Sequence, residues 1–419
     1  MIRNMKIGTL VVLAGMAAMM LGGCGQSKYE RIGLPGETGA LAETVEIRIG
    51  EPGGSRDQEG GGHGQAGPEG GNRDQEAGPE GGDQKQAGQE DGTREQAGED
   101  GEITLLFGGD VYLSDHVLGA WEAAGGIQGV LDEGYRQVIG QADYFMVNQE
   151  FPFSSRGVQA PDKQFTFRLP PERVEIFGQM GIDGVTLANN HALDFGQEAL
   201  LDSCAVLDEA GIGHTGAGEN LEEAGREISL ELSGRKIAMI GATRVIPVST
   251  WAAGNHHAGM LATYDPAVLL ERIRQLKQDH DYVMVYVHWG IERDQMPQEY
   301  QRTLGRQFLD AGADLVVGAH PHVLQGIEYL DGKPVVYSLG NFVFGSSIPR
   351  TMLLEVTIPA EGREDELKLR VIPGTSSAGY TRMHQEPGAL EEFYRYLEGI
   401  SFGTVYGNDG TVIRDRHGQ

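Results

Sequence analysis

The stretch DLVVGAHPH, residues 314–322, combines a structural signal with a chemical one. Its first four residues form a short apolar run with two adjacent valines, which is typical of a buried strand, and the glycine that follows allows a sharp turn. Pro321 lacks a backbone donor and disfavours helix before it, so we expect His320 and His322 to lie in a rigid loop. In an extended segment, histidines at i and i+2 point to the same side, as two ligands of one metal would. Taken alone, the pair also fits two ordinary loop histidines.

The same strand pattern recurs along the chain and alternates with helical patterns. Because most of the strand-like runs are continuously apolar, we expect an α/β domain whose sheet is covered on both faces. Two later runs, at 351–358 and 366–372, have no helix between them and are predicted to pair antiparallel. The helical patterns span residues 196–210, 266–279, 297–311 and 390–399. The other strand-like runs are ITLLFG (103–108), YFMVN (144–148), GVTLA (184–188), KIAMIGA (236–242), YVMVYV (282–287) and PVVYSLG (334–340).

Polar side chains follow these strands at the points where the strands end. In an open α/β sheet, ligands collect outside the carboxyl ends of the strands, so we expect these side chains to converge there. One histidine after a strand is unremarkable, but a polar group after each of several strands indicates a site. In chain order the residues are Asp110, Asn148, Glu150, Asn189, Asn190, His191, His288, His320, His322 and Asn341.

The chemistry of this set is that of a metal site. Carboxylate, amide and imidazole ligands without a thiolate suit manganese, iron or zinc better than a soft metal. A shared carboxylate can bridge two cations about 3.5–4 Å apart, an arrangement that activates a water and clamps the attacking and leaving oxygens. The residues therefore predict a site for one or two divalent ions, Mn, Fe or Zn.

Several of these residues also fit purely structural roles. Asp110 could cap the segment that follows it, and Asn189 and Asn190 could bond the backbone within a turn, which is the interpretation we favour for Asn189. Asp194 could cap the helix that starts near residue 196 or hold an imidazole.

Three other polar residues are candidates for substrate binding. Lys163 and Arg168 could bind an anionic substrate or lie on the solvated surface, and Asn341 is a third candidate for substrate binding. His256 and His257, in a glycine-rich loop, are expected to be exposed.

Residues 1–24 have the pattern of an export signal. Arg3 and Lys6 precede an apolar run that ends at Leu21, which is too short and wrongly flanked for a spanning helix. The ending Leu-Gly-Gly-Cys24 resembles a bacterial lipobox, so we expect Cys24 to be lipidated and to anchor the protein to the outer face of the membrane; an ordinary secretory signal is the alternative. Two acyl chains suffice for stable anchoring. Cys204, the other cysteine, is expected to lie on a helix and to pack into the core of the protein as a small residue.

Residues 25–101 are predicted to form a disordered tether. From residue 51 to 101 the chain has no Val, Ile, Leu, Met, Phe, Tyr or Trp, and a unit of Gly, Gln and acidic residues recurs imperfectly. The net charge of the whole chain is −28, which argues against nucleic acid as a partner. Residues 102–405 then form the predicted globular domain, and residues 406–419 a polar tail.

Six motifs follow one another between Ile103 and Phe344: GGDVYLSD (108–115), NQE (148–150), ANNHALDFG (188–196), HWGIE (288–292), GAHPH (318–322) and SLGNF (338–342). In this order they resemble the CapA or PgsA-like capsule synthesis family, a branch of the calcineurin-like metallophosphoesterase superfamily. KQFTFRLP (163–170) also resembles a segment of that family. The resemblance implies a four-layer α/β/β/α sandwich, extracellular anchoring, and a role in making or attaching an anionic polymer such as poly-γ-glutamate.

The resemblance also implies roles for individual residues. Asp110 and His322 would bind a first metal, and Glu150 would stand at the bridging position. His191 would be the general acid toward the leaving group. The second metal would be bound by Asn190, His288 and His320.

The chain departs from the superfamily in its first motif. The superfamily pattern there is Asp-x-His, whereas Asp110 is followed by Val111 and Tyr112, so the first site has one imidazole fewer.

Three functions are compatible with these features. The first is a metal-dependent hydrolase or transferase that acts on a cell-surface polymer, which the intact histidine motifs favour. The second is a noncatalytic accessory subunit of a membrane synthase or export complex, which the altered first motif favours. The third is a general surface phosphoesterase or nucleotidase.

Overall fold

The computed structural model describes residues 101–360 and 366–415. The predicted lipidation site Cys24 and the predicted tether up to residue 100 lie outside the described residues. None of the helices within the described ranges has the length and apolar composition needed to span a bilayer.

The described strands follow one another in the order expected from the apolar runs, with several short additions. They are β1 (Ile103–Val111), β2 (Tyr144–Gln149), β3 (Gly184–Thr186), β4 (Gly213–Thr215), β5 (Ala217–Gly218), β6 (Ile228–Leu232), β7 (Arg235–Thr243), β8 (Gly259–Met260), β9 (Tyr282–His288), β10 (Leu315–Ala319), β11 (Leu324–Leu330), β12 (Lys333–Leu339), β13 (Asn341–Val343), β14 (Ser347–Ile358), β15 (Lys368–Ser377), β16 (Tyr380–Met383), β17 (Thr404–Tyr406) and β18 (Val412–Arg414).

Two of the helix ends illustrate recognisable capping chemistry. Helix α4 ends before Gly211, which has φ 70° as a left-handed cap requires, and α8 has a proline in its first turn. The helices are α1 (Asp115–Ala124), α2 (Glu133–Gln141), α3 (Val174–Met180), α4 (Gly196–Ala210), α5 (Leu221–Ala224), α6 (Ala267–Asp279), α7 (Glu299–Ala311) and α8 (Pro387–Ile400). The predicted helices at 196–210, 266–279, 297–311 and 390–399 are confirmed, with small shifts at their ends. Cys204 is buried in α4, as expected.

Two large sheets organise the described chain. The first has the order β16-β15-β14-β1-β2-β3-β4, with β13 also paired to β1. Strands β1 to β4 run parallel, and β14 to β16 are antiparallel neighbours, which confirms the predicted antiparallel pair. The second has the order β11-β12-β10-β9-β7-β6, with a parallel centre and antiparallel outer strands.

The two sheets pack face to face, and helices cover their outer faces. Along β1, Leu105 and Phe107 belong to the core between the sheets, whereas Leu106 faces the helices α1 to α4. Along β9, Met284 faces the inter-sheet core and Val283 packs under α6 and α7. This alternation is the period of two that a strand buried on both faces requires. The predicted four-layer α/β/β/α sandwich is confirmed.

Strand β1 connects the two sheets at their carboxyl ends. The amide of Asp110 donates to the carbonyl of Gly340, just after β12, over 2.8 Å. A Cβ on Gly109 would lie 1.9 Å from that same oxygen, so only glycine permits this close approach. The end of β1 is thereby fixed beside the end of β12, and polar residues from both sheets meet there.

The folded part extends past the predicted boundary at residue 405. Strands β17 and β18 form a hairpin across that position, and Thr411 forms a β-bridge with Arg370 of β15. Val412 is buried in the inter-sheet core. Although this stretch is mostly polar, Val412 is buried and Tyr406 packs against the same core, so residues 406–415 are not a free tail.

Candidate metal centre

The polar groups that follow the strands converge where the two sheets meet. The first sheet supplies residues from the ends of β1 and β2 and from the loop after β3, and the second supplies residues from the ends of β9 and β10. All of these side chains are buried or nearly so, which is unusual for charged groups without a functional reason. They form two adjoining groups, which we call the carboxylate cluster (Asp110, Glu150 and His322) and the imidazole cluster (Asn190, His288 and His320).

The carboxylate cluster brings three possible ligands within reach of one ion. The ligating atoms of Asp110, Glu150 and His322 all lie within 4.8 Å of one another. His322 Nδ1 is 3.3 Å from Asp110 Oδ2, and His322 Nε2 is 3.6 Å from Glu150 Oε1. Among the described residues, Glu150 Oε1 is buried without a hydrogen-bond partner. A cation bound between the three residues would provide this oxygen with a partner.

The charges of this cluster attract positive charge. Burial, followed by the nearby charge of Asp110, raises the pKa of Glu150 well above its usual range. Burial alone would lower the pKa of His322, but the charge of Glu150 and the hydrogen bond to Asp110 outweigh it and raise that pKa to about 10. The two carboxylates therefore favour a positive charge between them, either a proton or a metal ion.

The imidazole cluster has a different character. His288 Nε2 lies 2.9 Å from Asn190 Oδ1 and 3.1 Å from His320 Nδ1. Burial and neighbouring imidazoles lower the pKa values of His288 and His320 well below the usual range, so both rings are neutral and offer lone pairs. Two ring nitrogens this close to an amide oxygen suit one cation with ligand distances of about 2.0–2.2 Å.

Asn148 stands between the two clusters. Its Nδ2 donates to Asp110 Oδ1 over 2.8 Å and lies 3.3 Å from His288 Nδ1 and 3.4 Å from Glu150 Oε2. This neutral amide therefore contacts both clusters, and the bridging position of Glu150 stays a prediction. Asn148 reaches Asp110 because the two residues lie opposite each other in the pairing of β1 and β2. This register cannot be predicted from the strand sequences alone.

His191 lies beside the carboxylate cluster. Its Nε2 is 3.9 Å from Glu150 Oε1, and its Nδ1 is 2.7 Å from Asp194 Oδ2. Asp194 therefore holds an imidazole, one of the two roles predicted for it, and its side chain does not cap α4. Asn189 makes the predicted turn bond, accepting from the His191 amide over 3.0 Å, and it also donates to Asn148 Oδ1.

Of the three residues predicted to bind substrate, two contact histidines of the site. The ammonium group of Lys163 is hydrogen-bonded to Asp194 and lies 3.0 Å from His191 Nδ1. Asn341 Oδ1 is 2.8 Å from His322 Nδ1 and orients that ring. The Arg168 guanidinium donates to the Arg156 carbonyl and stacks 3.9 Å from the centre of the Phe195 ring.

The histidine pair of the GAHPH motif is not extended. His320 has φ 98° and His322 has φ 58°, both in the left-handed region that residues with a side chain rarely adopt. The predicted extended geometry, in which i and i+2 serve one ion, is therefore wrong. The strained turn sends the two rings to different clusters, with ring centres 5.9 Å apart. Strain of this kind concentrates at functional sites.

An aromatic wall, which the sequence analysis missed, borders the site. Phe167 stacks between Tyr112, at 4.0 Å, and His191, at 4.3 Å between ring centres. Phe344 lies 5.1 Å from the His322 ring and 5.5 Å from Tyr112. Tyr112 occupies the motif position where the superfamily has histidine, and here its ring belongs to this wall.

The residues fit a divalent cation. The ligand groups are carboxylate, amide and imidazole, the set that suits Mn, Fe or Zn, and one buried carboxylate oxygen has no hydrogen-bond partner among the described residues. Asp110, Glu150 and His322 would hold one ion, and Asn190, His288 and His320 a second.

Comparisons with known proteins agree with the motifs. A family model described as "Bacterial capsule synthesis protein PGA_cap" matches residues 104–346, more than half of the 419-residue chain. The "PGA biosynthesis protein CapA" of Bacillus subtilis is 33% identical over 254 residues, covering 60% of this chain and 66% of that protein. A "Probable polyglutamine synthesis accessory protein" of Mycobacterium tuberculosis is 29% identical over 252 residues, covering 55% of this chain and 65% of that protein.

The matched regions thus span just under two thirds of the length of these relatives. Among solved structures, the NAD nucleotidase of Haemophilus influenzae aligns with a TM-score of 0.37 at 13% identity, covering 75% of this chain and 53% of that one. The resemblance inferred from the six motifs is confirmed by the family model, which spans all of them. The chain belongs to the family of bacterial capsule synthesis proteins described as PGA_cap.

Proposed function

We propose that the protein acts in the synthesis, release or anchoring of an anionic capsule polymer such as poly-γ-glutamate, as a cation-dependent hydrolase or transferase. The observation that carries this proposal is the convergence of Asp110, Glu150 and His322 on one buried point, where one Glu150 oxygen has no hydrogen-bond partner among the described residues. A cluster maintained only for stability would supply each buried carboxylate oxygen with a donor. The relatives named for capsule and polyglutamine synthesis supply the substrate class.

The site offers distinct roles to its residues. When bound, a divalent cation would supply Lewis-acid stabilisation of charge on the substrate. His191 faces the same point through Nε2, while Asp194 holds its Nδ1, so Nε2 is the atom at which a proton is given to a leaving group or taken up. Asn341 orients His322, and Asn148 holds Asp110. The surrounding burial excludes bulk water and strengthens each of these interactions.

The location we propose is the outer face of the bacterial cell membrane. Lipidation of Cys24 would anchor the protein there, and the Gly- and Gln-rich tether would hold the folded domain away from the bilayer. Subunits of a membrane polymer synthase are the expected neighbours at this location. The excess of acidic residues over basic ones disfavours nucleic acid as a substrate.

An accessory, noncatalytic role is the second candidate, and specific observations favour it. Tyr112 replaces the imidazole of the first motif and packs into the aromatic wall, and the neutral Asn148 stands where the two clusters meet. In this case the cluster would hold an ion for structure only. The Mycobacterium relative that is named as an accessory protein is compatible with this alternative.

One experiment separates the two candidates. His191→Ala and His320→Ala are introduced into the full-length gene in its own host, and the amount and chain length of the surface polymer are measured. The catalytic proposal expects either change to abolish polymer release or attachment while the protein still accumulates, whereas His256→Ala, an exposed histidine, serves as the matched control with no effect. Unchanged polymer in His191→Ala cells, together with a loss in Cys24→Ser cells, would support the accessory role and refute the catalytic one.

A further inference from the structure

The segment from residue 160 to residue 167 is fastened to the turn that carries His191. The amide of Ala160 donates to the Asp194 carbonyl over 2.8 Å, and the amide of Phe167 donates to Asp194 Oδ2 over 2.6 Å. Lys163 adds hydrogen bonds from its ammonium group to the Asn190 carbonyl and to the Asp194 carboxylate. We call residues 160–167 the strap.

Two side chains of the strap contact the imidazole itself. The Phe167 ring lies nearly parallel to the His191 ring, at 23° and 4.3 Å, and its other face is covered by Tyr112. Lys163 Nζ is 3.0 Å from His191 Nδ1. The Lys163 side chain is 8% exposed, and that of Asp194 is fully buried, so neither partner is free to reorient into solvent.

The hydrogen bonds around His191 Nδ1 determine which ring nitrogen carries the proton. Asp194 Oδ2 already accepts the Phe167 amide, and at 2.7 Å from His191 Nδ1 it accepts a second hydrogen bond, so Nδ1 must carry the hydrogen. Lys163 has donors only, and two of its three N–H groups serve Asp194 and the Asn190 carbonyl. Its nitrogen also lies 3.0 Å from Nδ1, but the shorter contact of Nδ1 with Asp194, at 2.7 Å, decides the tautomer. A flip of the ring would place a carbon against Asp194 and lose this bond.

We infer that Lys163 and Phe167 are positioning residues for His191, which fix its ring plane and its Nδ1–H tautomer so that Nε2 faces the carboxylate cluster. This inference rests on the proposed function only in giving His191 a chemical role. Lys163 acts by holding Asp194 in place. Phe167 acts by stacking on one face of the His191 ring and so limiting its rotation. Neither residue is expected to touch substrate. For Lys163 we thus propose a positioning role instead of the substrate-binding role predicted from the sequence.

The test reads the imidazole directly and does not depend on activity. Full-length protein is labelled with ¹⁵N-histidine, and two-bond ¹H–¹⁵N spectra report the tautomer of His191, whose signals are assigned by their loss in His191→Gln. We expect one set of signals with the proton on Nδ1 in the wild type. Lys163→Met and Phe167→Leu are expected to shift the population toward the Nε2–H tautomer and to split or broaden the signals.

Matched variants separate positioning from general damage. Lys163→Arg and Phe167→Tyr keep the charge or the ring and should retain the wild-type spectrum. Phe165→Ala removes an aromatic side chain of the same strap that is 61% exposed, and it should have no effect. Thermal unfolding of each variant checks that the fold is retained. A single Nδ1–H signal set in both Lys163→Met and Phe167→Leu would overturn the inference.

Kinetics provide the second readout. With poly-γ-glutamate and Mn²⁺ as the probes, Lys163→Met and Phe167→Leu should each lower kcat by about 10–100-fold, as for other residues that orient a catalytic group. In a His191→Gln background the same changes should have no further effect, and an additive loss would contradict action through His191. A wild type inactive on this polymer would count against the proposed function, while the spectra would still decide the role of the strap.

Discussion

Two buried acidic clusters in this molecule are built on opposite principles. In one, Glu328 accepts hydrogen bonds from Arg302, over 3.1 and 2.6 Å, and from the Tyr337 hydroxyl over 2.6 Å. Its charge is matched by a cation, and both carboxylate oxygens have donors. In the carboxylate cluster, Asp110 and Glu150 lie close together with only His322 as a cationic partner in the same group, and one oxygen of Glu150 has no hydrogen bond among the described residues.

The difference shows which buried charge supports the fold and which one serves function. A paired, fully hydrogen-bonded carboxylate is costly to break, whereas two carboxylates forced together weaken the folded state until a cation joins them. Perturbed groups of the second kind are characteristic of functional sites. The following predictions therefore contrast the carboxylate cluster with the Glu328 cluster.

The largest contrast is expected in cation affinity. Asp110→Asn and Glu150→Gln each remove a charged ligand and should weaken Mn²⁺ binding by more than about 100-fold, beyond the 10–100-fold typical of residues that only orient ligands. Glu328→Gln should leave the affinity unchanged because its carboxylate is already matched by Arg302. Calorimetric titration of the full-length proteins measures all three. Equal losses in Glu328→Gln would mean that general destabilisation, not ligand removal, explains the effect.

The same substitutions should have opposite effects on the stability of the cation-free protein. Glu328→Gln removes one partner of a buried ion pair and should lower the free energy of unfolding by about 1–3 kcal/mol. We expect no larger loss because the Arg302 side chain is 45% exposed, and solvent weakens the ion pair. Glu150→Gln removes a like charge beside Asp110 and should raise the free energy of unfolding. Denaturant unfolding in the presence of EDTA gives both values, and a destabilised Glu150→Gln would contradict the comparison.

The stabilising effect of Glu150→Gln should depend on pH. Because the pKa of Glu150 is raised in the folded state above its ordinary value of 4.5, the wild-type protein loses stability from this group as pH rises above that value. The advantage of the variant should therefore grow as the pH rises from 4.5 toward the folded-state pKa of Glu150, and it should shrink as the pH is lowered toward 4.5. Unfolding curves of both proteins in EDTA at several pH values test the sign. An advantage that grows on acidification would be inconsistent with a raised pKa.

A bound cation should reverse this ranking. At about 100 times its dissociation constant, a ligand specific for the folded state adds about 2.7 kcal/mol to stability. Mn²⁺ should therefore raise the Tm of the wild type and of Glu328→Gln, but not that of Glu150→Gln. A rise in Tm of equal size in all three proteins would place the ion elsewhere.

The smallest effect is expected from Asn341→Ala. This change removes the acceptor that orients His322 but keeps all the ligands, so Mn²⁺ affinity should fall by about 10-fold. Arg168→Ala is the control, because Arg168 packs on Phe195 and donates to the Arg156 carbonyl. An unchanged affinity in Asn341→Ala would show that the turn geometry alone fixes His322.

Local apolar patterns predicted an α/β domain with a sheet covered on both faces, and the strand ends predicted the place where polar groups meet. The four layers were implied by the family resemblance. The sequence could not predict contacts that depend on register and backbone torsion. Asn148 reaches both clusters because it lies opposite Asp110 in the sheet. The left-handed torsions of His320 and His322 separate two rings that an extended chain would have placed together.

Long-range packing explains the other differences. Lys163 was predicted to bind substrate or to lie on the solvated surface, yet the strap buries it against Asp194, 31 residues further along the chain. The aromatic wall joins Tyr112, Phe167 and Phe344 from three distant segments, and no spacing in the sequence links them.

The metal content of the full-length protein tests the central claim most directly. The wild type, Glu328→Gln and the double variant Asp110→Asn/Glu150→Gln are equilibrated with Mn, Fe and Zn salts, desalted, and measured by elemental analysis. The account predicts one or two ions per chain in the wild type and in Glu328→Gln, and loss of at least one of them in the double variant. A wild type that retains no metal, or a double variant that retains as much as the wild type, would contradict it.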